Sequence, residues 1–359
     1  MSEKKVREKS LDRDMTFVTG SAGFIGSNFV EMWLDKKKGS VISFDKLTYA
    51  GNKNNLKSFI QNSKHTFFEG DICQTEKLLN IFREYEPKYI VNFAAETHVD
   101  RSINYPNKFF KNNVIGTLSL FEACRQYYAE LPDKKKTDFR ILQISTDEVY
   151  GSLSLGERSF TEKNRYKPNS PYSASKASGD HIARSYSVTF SLPVLISNCS
   201  NNYGPFQHPE KLIPLAILNL LSERKVPVYG DGRQIRDWIF VKDNCEAQIK
   251  ILENGINGEV YNVGGGNEKE NIEVLELLCE ILQEIKPSLT TPYKDLISFV
   301  EDRPGHDYRY SMDFSKMSNQ LGWKPKESFR TGLQKTVEWY LGNPDWVKEI
   351  LGKKTKTSL

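Results

Sequence analysis

Short apolar runs alternate with amphipathic stretches through the first 200 residues of this chain. The runs are rich in β-branched and aromatic residues, which favours strands, while the stretches between them carry apolar residues at helical spacing. The apolar runs occupy residues 15–19, 40–45, 65–69, 89–95, 139–146 and 193–198. Strands that alternate with helices are typical of a doubly wound parallel sheet. The pattern therefore predicts an α/β fold with such a sheet.

A glycine-rich turn follows the first predicted strand. Gly20, Gly23 and Gly26 form a GxxGxxG pattern before an amphipathic run of helical spacing. Glycines at this spacing allow a tight turn and close approach of the backbone to a pyrophosphate, which the helix amides then face. Asp45 ends the next apolar run, where a carboxylate suits the ribose hydroxyls of NAD and repels the extra phosphate of NADP. We predict a Rossmann-type domain that binds NAD.

The alternation loosens after about residue 200. Short runs rich in Tyr, Arg and Gly follow, such as residues 226–240. This change favours a smaller α/β substrate-binding domain at residues 201–345, interleaved with the last elements of an NAD-binding domain at residues 15–200. The first 14 residues are highly charged and lack an apolar segment, so we predict a flexible arm and no signal peptide. Residues 346–359 are predicted to be a tail.

Polar residues follow several of the predicted strands. Parallel sheets of this type bind ligands outside the carboxyl ends of their strands. The residues at those ends are Asp71 and Ile72, Ala94 to Thr97, Ser145 to Glu148, and Asn198 to Asn202. The adjacent acids Asp147 and Glu148 are thus predicted to lie at the mouth of the site. Helix N-capping, or a solvated turn, is an equally open interpretation of that pair.

Tyr172 and Lys176 lie four residues apart in a stretch, 172–190, whose apolar spacing favours a helix. The two side chains would then share one helix face. A nearby ammonium favours the phenolate, which could act as general base on a sugar hydroxyl while hydride leaves the same carbon. The alternative is that the pair is an ordinary feature of a helix surface.

Composition and the spacing of the cysteines indicate which partners and sites to expect. The net charge of +4 is modest and the lysine clusters lie among polar residues, so we expect a solvated surface and no nucleic-acid partner. No run approaches transmembrane length, so we expect no membrane partner. The five cysteines are widely spaced, without CxxC pairs or histidine clusters. This favours reduced thiols in the cytoplasm and predicts no metal site.

Many separated motifs together resemble one family. The chain is similar to the dTDP-glucose 4,6-dehydratases, extended members of the short-chain dehydrogenase/reductase superfamily, from about residue 15 to 345. The motifs are DKLTYAGN at 45–52, GDIC at 70–73, AAETHVDRSI at 94–103, STDEVYG at 145–151, PYSASKAS at 171–178, NCSNNYGP at 198–205, PEKLIP at 209–214, RQIRDWIFV at 233–241, DRPGHDYRY at 302–310 and LGWKP at 321–325.

The resemblance implies an internal redox cycle with NAD as cofactor. Tyr172 would take the proton from the hydroxyl at carbon 4 of the glucose while hydride passes to NAD. Glu148 would then remove the carbon-5 proton, and protonated Asp147 would assist loss of the carbon-6 hydroxyl as water. Thr146 would hydrogen-bond the carbonyl oxygen. Hydride return to carbon 6 would give dTDP-4-keto-6-deoxyglucose.

The resemblance also implies the binding residues, position by position. Cofactor contacts are expected from Gly20, Gly23, Phe24, Ile25, Gly26, Asp45, Lys46, Leu47, Thr48, Asp71, Ile72, Ala94, Ala95, Tyr172, Lys176 and Asn202. Substrate contacts are expected from Thr97, Thr146, Asn201, Lys211, Leu212, Pro227, Val228, Tyr229, Arg236, Asn271, Asp302, Arg303, Pro304, Gly305 and His306. Arg236 and Arg303 suit a diphosphate, although either could instead form a salt bridge between domains.

Three other functions share parts of this pattern. UDP-glucose dehydratases use almost the same chemistry. A nucleotide-sugar epimerase or decarboxylase would share the glycine loop and the Tyr/Lys pair but has no need of paired acids after Thr146. A non-catalytic NAD-binding scaffold would need only the glycine loop. The resemblance further implies a homodimer through helices near 107–129 and 172–190, although an extra apolar helix face could equally be internal.

Overall fold

The structure is a computed structural model that describes residues 14–356, with side chains described as far as residue 352. Most of the predicted arm and the last three residues of the predicted tail lie outside the described residues. The strands are β1 (Thr16–Thr19), β2 (Val41–Asp45), β3 (His65–Glu69), β4 (Tyr89–Asn92), β5 (Arg140–Thr146), β6 (Val194–Cys199), β7 (Asn201–Tyr203), β8 (Val226–Tyr229), β9 (Ile235–Phe240), β10 (Val260–Val263), β11 (Glu268–Glu270) and β12 (Ile297–Val300).

Helices connect the strands. They are α1 (Phe24–Asp35), α2 (Thr75–Tyr85), α3 (Val99–Asn104), α4 (Pro106–Phe110), α5 (Gly116–Glu130), α6 (Asp133–Lys136), α7 (Pro171–Phe190), α8 (Leu212–Leu221), α9 (Val241–Asn254), α10 (Asn271–Ile285), α11 (Ser315–Leu321), α12 (Phe329–Gly342) and α13 (Pro344–Lys356). Among residues 14–356, no helix is both long and apolar enough to cross a membrane.

The main sheet is parallel throughout. Within the described part of the chain it has seven strands in the order β10-β6-β5-β4-β1-β2-β3. β1 and β2 are buried at every position because helices cover both faces, and this is why they are continuous apolar runs. The predicted Rossmann-type α/β fold is confirmed.

The chain order reverses at β1. β2 continues the sheet on one side of it and β4 on the other, so a crevice opens at the carboxyl ends of these strands. The loops after β1, β2, β3, β4, β5 and β6 all begin at this edge of the sheet and line the crevice. The topology therefore brings together six segments that are separated in the sequence.

Two smaller sheets lie in the second half of the chain. Among the described residues, one has the order β11-β9-β7 and the other pairs β12 with β8 in parallel. β10 returns to the main sheet beside β6, and α9 packs against α1. The second half thus contributes elements to both parts of the molecule, as an interleaved arrangement requires. The domain boundaries themselves stay predictions.

Three large cores hold the described part of the chain together. The first surrounds Trp33 between the main sheet and helices α1 and α9, and a third lies between the main sheet and helices α2, α5 and α7. The second gathers apolar residues of α8, α10, α12 and α13 beneath the small sheets, and it includes Trp346 and Ile350 of the predicted tail. Burial of such aromatic and aliphatic side chains contributes roughly 1.5–3 kcal/mol each. The last helix is therefore part of the folded molecule.

Candidate active site

The glycine loop after β1 is as tight as its spacing predicts. Gly20 has φ +63°, and a Cβ there would lie 2.6 Å from the backbone nitrogen of Ala94. A Cβ on Gly26 would lie 2.2 Å from the carbonyl oxygen of Gly20, so α1 packs against the loop at a distance that only glycine allows. Among the described residues, no side chain caps the N-terminus of α1 at Gly23. Its first amides can therefore face an anion.

Asp45 ends β2 beside this loop. Its Oδ2 accepts a hydrogen bond from the backbone nitrogen of Ala22 at 2.9 Å, and its Oδ1 accepts one from Leu47 at 2.8 Å. Burial raises the pKa of this carboxyl, and these backbone donors oppose the rise. A carboxylate has room for further hydrogen bonds, such as those from ribose hydroxyls. The glycine loop and Asp45 thus fit the dinucleotide that the sequence predicts.

Most of the predicted cofactor residues line a single cleft. All of them except Leu47 do so, and Leu47 packs against the first core instead. All five predicted catalytic residues and four of the predicted substrate residues line the same cleft. Those four are Thr97, Thr146, Asn201 and Lys211. The fold therefore places the expected nucleotide loop and the expected chemical groups side by side.

The two acids follow β5 in a short 3-10 helix, Asp147–Tyr150. Thr146 caps this helix because its Oγ1 accepts from the backbone nitrogen of Glu148 at 3.3 Å, and the same hydroxyl donates to Oδ1 of Asp147 at 3.1 Å. Asp147 is 1% exposed. The capping interpretation of the acids is wrong, since a threonine makes the cap and both carboxyls line the cleft.

The acids have different electrostatic surroundings. Burial raises the pKa of Asp147 well above its usual value, and the neighbouring charge of Glu148 raises it further. Burial also raises the pKa of Glu148, but the positive charges of Arg303, Arg236 and Lys211 oppose the rise. The rise in pKa is therefore larger at Asp147, which favours protonation of Asp147 before that of Glu148. One acid can therefore donate a proton while the other accepts one.

Helix α7 positions the tyrosine and the lysine. A capping box between Ser170 and Ser173 and a proline at the first turn begin the helix. The backbone nitrogen of Tyr172 donates to Ser102 Oγ at 3.2 Å, which ties the helix to α3. Lys176 is 6% exposed and donates to the carbonyl oxygen of Ile144 at 2.6 Å. Both side chains line the cleft.

The pKa of the Tyr172 phenol is raised, although the sequence predicts that Lys176 lowers it. Burial raises the pKa of Tyr172 well above its usual value, and the negative charge of Glu148 adds to the rise. A hydrogen bond with Thr146 opposes it. The physical reason is that the Lys176 ammonium is directed at the backbone of β5. In this structure the phenol holds its proton.

The remaining predicted substrate residues lie beyond this cleft. They are Leu212, Pro227, Val228, Tyr229, Arg236, Asn271 and residues 302–306. The Arg236 guanidinium is buried and donates to the carbonyl oxygens of Ile235 at 2.7 Å, Asp307 at 2.9 Å and Tyr308 at 3.3 Å. Arg303 instead forms an ion pair with Asp100 at 3.1 Å, which joins the 302–306 loop to α3. Arg303 thus makes the kind of salt bridge that was the alternative interpretation.

The predicted substrate residues of β8 and of the 302–306 loop differ in their exposure to solvent. Val228 is 2% exposed and belongs to the second core, whereas Tyr229 is 40% exposed and donates to Asp100 at 3.3 Å. His306 Nδ1 lies 2.7 Å from Asp302 Oδ1, and burial lowers the pKa of this histidine to about 4. His306 is therefore a neutral loop residue near pH 7.

Several residues that line the cleft were not among the predicted site residues. They include Asn112, Cys199, Gln207, His208 and Glu210. Cys199 lies within the strand-end segment that the sequence analysis identified, and Glu210 precedes the predicted Lys211. Their positions in the motifs could have indicated them. Gln207 and His208 carry no comparable local signal.

Comparison with known proteins places the chain in a family. The GDP-mannose 4,6 dehydratase family model matches residues 17–336. The dTDP-glucose 4,6-dehydratase of Neisseria meningitidis serogroup B is 49% identical over 337 residues, which cover 93% of this chain and 95% of the relative. Crystal structures from Bacillus anthracis and Streptomyces venezuelae, both of dTDP-glucose 4,6-dehydratases with NAD bound, superpose with TM-scores of 0.83 and 0.85.

The two solved structures are 46% and 41% identical in sequence, respectively. Each covers 94% of this chain and 99% of its own. Similarity of this extent includes the glycine loop, the acids after β5 and the start of α7. The chain belongs to the dTDP-glucose 4,6-dehydratase family of the extended short-chain dehydrogenases/reductases.

Proposed function

We propose that this protein converts dTDP-glucose to dTDP-4-keto-6-deoxyglucose with NAD as cofactor. The observation that carries the proposal is the pair Asp147 and Glu148, buried in contrasting charge environments beside Tyr172. Oxidation alone would need only the tyrosine and Lys176. Elimination of water also needs an acid and a base that act at the same pH.

The glycine loop and Asp45 would hold the cofactor. Amides at the start of α1 would face the pyrophosphate, and Asp45 would accept hydrogen bonds from the ribose hydroxyls. Bound NAD supplies the redox chemistry, which is acceptance of hydride from carbon 4 of the sugar and its later return to carbon 6. The chain itself moves the protons.

Tyr172 takes the proton of the carbon-4 hydroxyl. The phenol must first lose its own proton, which burial and Glu148 oppose in this structure. The adjacent Lys176 ammonium and the Thr146 hydroxyl are the groups placed to stabilise the phenolate. Lys176 is therefore needed for the first step even though it is bound to the strand backbone at rest.

The two acids carry the elimination. The ketone at carbon 4 acidifies the carbon-5 proton, and Glu148 removes it. Asp147 delivers its proton to the carbon-6 hydroxyl, which leaves as water. Thr146 donates a hydrogen bond to the carbonyl oxygen as negative charge develops there. Burial of Asp147 favours its protonated form, which is the form that this step requires.

The substrate nucleotide is proposed to bind on the side of the small sheets. Arg236, Arg303 and Lys211 concentrate positive charge near Glu148, and this suits a diphosphate. The names of the matched relatives support thymidine as the nucleoside. UDP-glucose is the second candidate, because nothing in these charges distinguishes uracil from thymine.

Proton NMR of dTDP-glucose with the purified protein in deuterated water, without added NAD, tests the proposal. We expect a 4-keto-6-deoxy product that carries deuterium at carbon 5, because Glu148 exchanges its proton with solvent. Unchanged substrate, even with NAD supplied, would rule out dTDP-glucose and leave UDP-glucose to be tried. A 4-epimer as product would contradict dehydration altogether.

We further propose a homodimer through α5 and α7. Supporting this, large apolar side chains on and beside these two packed helices are exposed in the single chain. They are Phe110, Ile115, Leu118, Val188 and Phe190. A two-fold axis would bring the same surface of two chains together and bury it. The cytoplasmic location that the cysteine pattern predicts also stays a proposal.

A further inference from the structure

The last two helices of the chain reach back to the cofactor cleft. The Trp346 indole, at the start of α13, donates its Nε1–H to Asn55 Oδ1 at 2.7 Å. Asn55 lies about three hundred residues earlier, in the segment after β2, and is 2% exposed. A buried hydrogen bond over such a sequence distance ties the end of the chain to the nucleotide fold.

Asn55 also forms a hydrogen bond with the glycine loop. Its Nδ2 donates to the carbonyl oxygen of Ala22 at 2.9 Å. The backbone nitrogen of Ala22 in turn donates to Asp45 at 2.9 Å. An unbroken line of buried hydrogen bonds therefore joins Trp346 to the carboxylate that is placed to hold the ribose. Each group in the line has its partner directly from the protein.

A second connection reaches another segment that lines the cleft. The Tyr340 hydroxyl, near the end of α12, donates to the carbonyl oxygen of Gln207. The Gln207 side chain donates to the carbonyl oxygen of Asn202 at 2.8 Å, and both Gln207 and Asn202 line the cleft. One helical pair thus contacts two segments that line the cleft.

Ring packing holds the side chains of the two donors, Trp346 and Tyr340, in place. The rings of Trp346 and Tyr340 pack against Trp339, with centroid distances of 5.0 Å in each case, and Phe206 packs against Trp339 at 4.8 Å. Such edge-to-face contacts restrict the rotamers of both donors. The Trp346 and Tyr340 rings are 8% and 2% exposed. Motion of either donor would require the whole aromatic cluster to shift.

We propose that α12 and α13 form a C-terminal brace, built on Trp346 and Tyr340, that keeps the cofactor cleft closed around NAD and slows NAD release. Trp346 and Tyr340 are positioning residues, since they act through Asn55 and Gln207. The inference rests on the proposed binding of NAD to this cleft. It explains how one NAD could stay bound through a cycle that regenerates it.

The test compares retention of NAD in the full-length holoenzyme and in Trp346→Phe. Phenylalanine keeps an apolar ring in the cluster but removes the N–H donor, and so leaves Asn55 Oδ1 buried without its partner. We expect NAD to dissociate about tenfold faster, a factor that corresponds to about 1.4 kcal/mol. NAD per chain is measured after gel filtration at successive times, by release from the denatured protein. With saturating NAD, kcat should return to the wild-type value.

Trp339→Phe is the matched control. It removes a similar area from the same aromatic cluster, but its indole takes no part in the hydrogen bonds from Trp346 to Asn55 and from Tyr340 to Gln207. Retention within about twofold of wild type is expected for this variant. In a double-mutant cycle, Trp346→Phe should increase the rate of NAD dissociation little further in a protein that already carries Asn55→Ala, because Asn55→Ala itself removes the hydrogen bonds to Trp346 and Ala22. If Trp346→Phe does not fold, NAD retention is compared between wild type and Tyr340→Phe, which removes the hydrogen bond to Gln207.

Unchanged NAD retention in both Trp346→Phe and Tyr340→Phe would overturn the brace. Equal loss in Trp339→Phe would also overturn it, because general packing of the cluster would then explain the effect. Wild-type protein that neither contains NAD nor binds it when supplied would overturn the proposed function as well. The outcomes therefore separate failure of the brace from failure of cofactor binding.

Discussion

Asp147 and Glu148 are neighbours in the chain but meet different charges in the cleft. Burial affects both carboxyls, yet Arg303, Arg236 and Lys211 oppose it chiefly at Glu148. Two adjacent acids can therefore take opposite roles, although burial raises the pKa of both. Side-chain chemistry alone does not decide these roles, because the arginines come from distant segments.

Glu148→Gln and Asp147→Asn should separate the two halves of the elimination. The glutamine variant has no base for carbon 5, so we expect neither deuterium at that carbon nor product. The asparagine variant keeps the base but lacks the acid, so exchange at carbon 5 should continue while product formation falls roughly 10²–10⁴-fold. NMR of recovered sugar in deuterated water measures both. Identical behaviour of the two variants would contradict the assignment.

Asp147→Asn should also change the dependence of stability on pH. The folded pKa of Asp147 is raised above its ordinary value of 3.8, so the folded state holds a proton that the unfolded state loses first. The wild type therefore loses stability as pH rises from about 3.8 through the folded pKa, by up to about 1.4 kcal/mol per pH unit. Asp147→Asn should not lose stability in this way, because asparagine does not titrate.

Thermal unfolding at a series of pH values measures the difference. We expect Asp147→Asn to match the wild type near pH 4 and to melt at a higher temperature near pH 7, by roughly 2–4 °C for each kcal/mol. Asp133→Asn, at a fully exposed position, is the control and should follow the wild type. A constant offset between Asp147→Asn and the wild type would refute the linkage.

At the scale of elements, periodicity predicts the strands of the main sheet closely. The apolar runs at 15–19, 65–69 and 139–146 correspond to β1, β3 and β5 within one residue at each end. The helix predicted at 172–190 is α7. These elements are buried on a regular pattern, which leaves a direct signal in the sequence. β10 gave no such signal, since its place beside β6 depends on pairing with a remote strand.

The contact between α1 and the glycine loop is the element on which cofactor binding depends. Gly26→Ala would place a Cβ 2.2 Å from the carbonyl oxygen of Gly20 and so force the helix away from the loop. We expect loss of bound NAD and a decrease of about 1–3 kcal/mol in the free energy of unfolding. Gly342→Ala, where no atom lies within 4 Å of the new Cβ, is the control.

Gel filtration followed by NAD determination, together with denaturant unfolding, measures both effects. Gly342→Ala should retain NAD and unfold within about 1 kcal/mol of wild type, since helix propensity favours alanine over glycine. Full NAD retention in Gly26→Ala would show that the loop tolerates a Cβ and that glycine is not required there.

For the whole molecule, the proposed dimer explains an otherwise exposed apolar surface. Ile115 and Leu118 lie three residues apart at the start of α5 and are 51% and 39% exposed, and Val188 on α7 is 67% exposed. Leu118→Lys with Val188→Lys should shift the sedimenting species from dimer to monomer, because burying two ammonium groups is unfavourable. Leu289→Lys, on a remote exposed loop, should leave the dimer intact. A wild-type monomer would contradict the proposal.

Local patterns in the sequence predict the sheet, the glycine loop and the Tyr172/Lys176 pair, because period, turn chemistry and spacing are visible within a few dozen residues. Three contacts became known only from the folded structure: the cap that Thr146 makes on the turn with the acids, the ion pair of Arg303 with Asp100, and the hydrogen bond of Trp346 to Asn55. The last two contacts join segments distant in the chain, and the cap depends on the folded conformation after β5. Such contacts exist only once the cores have packed, so no local pattern could have predicted them.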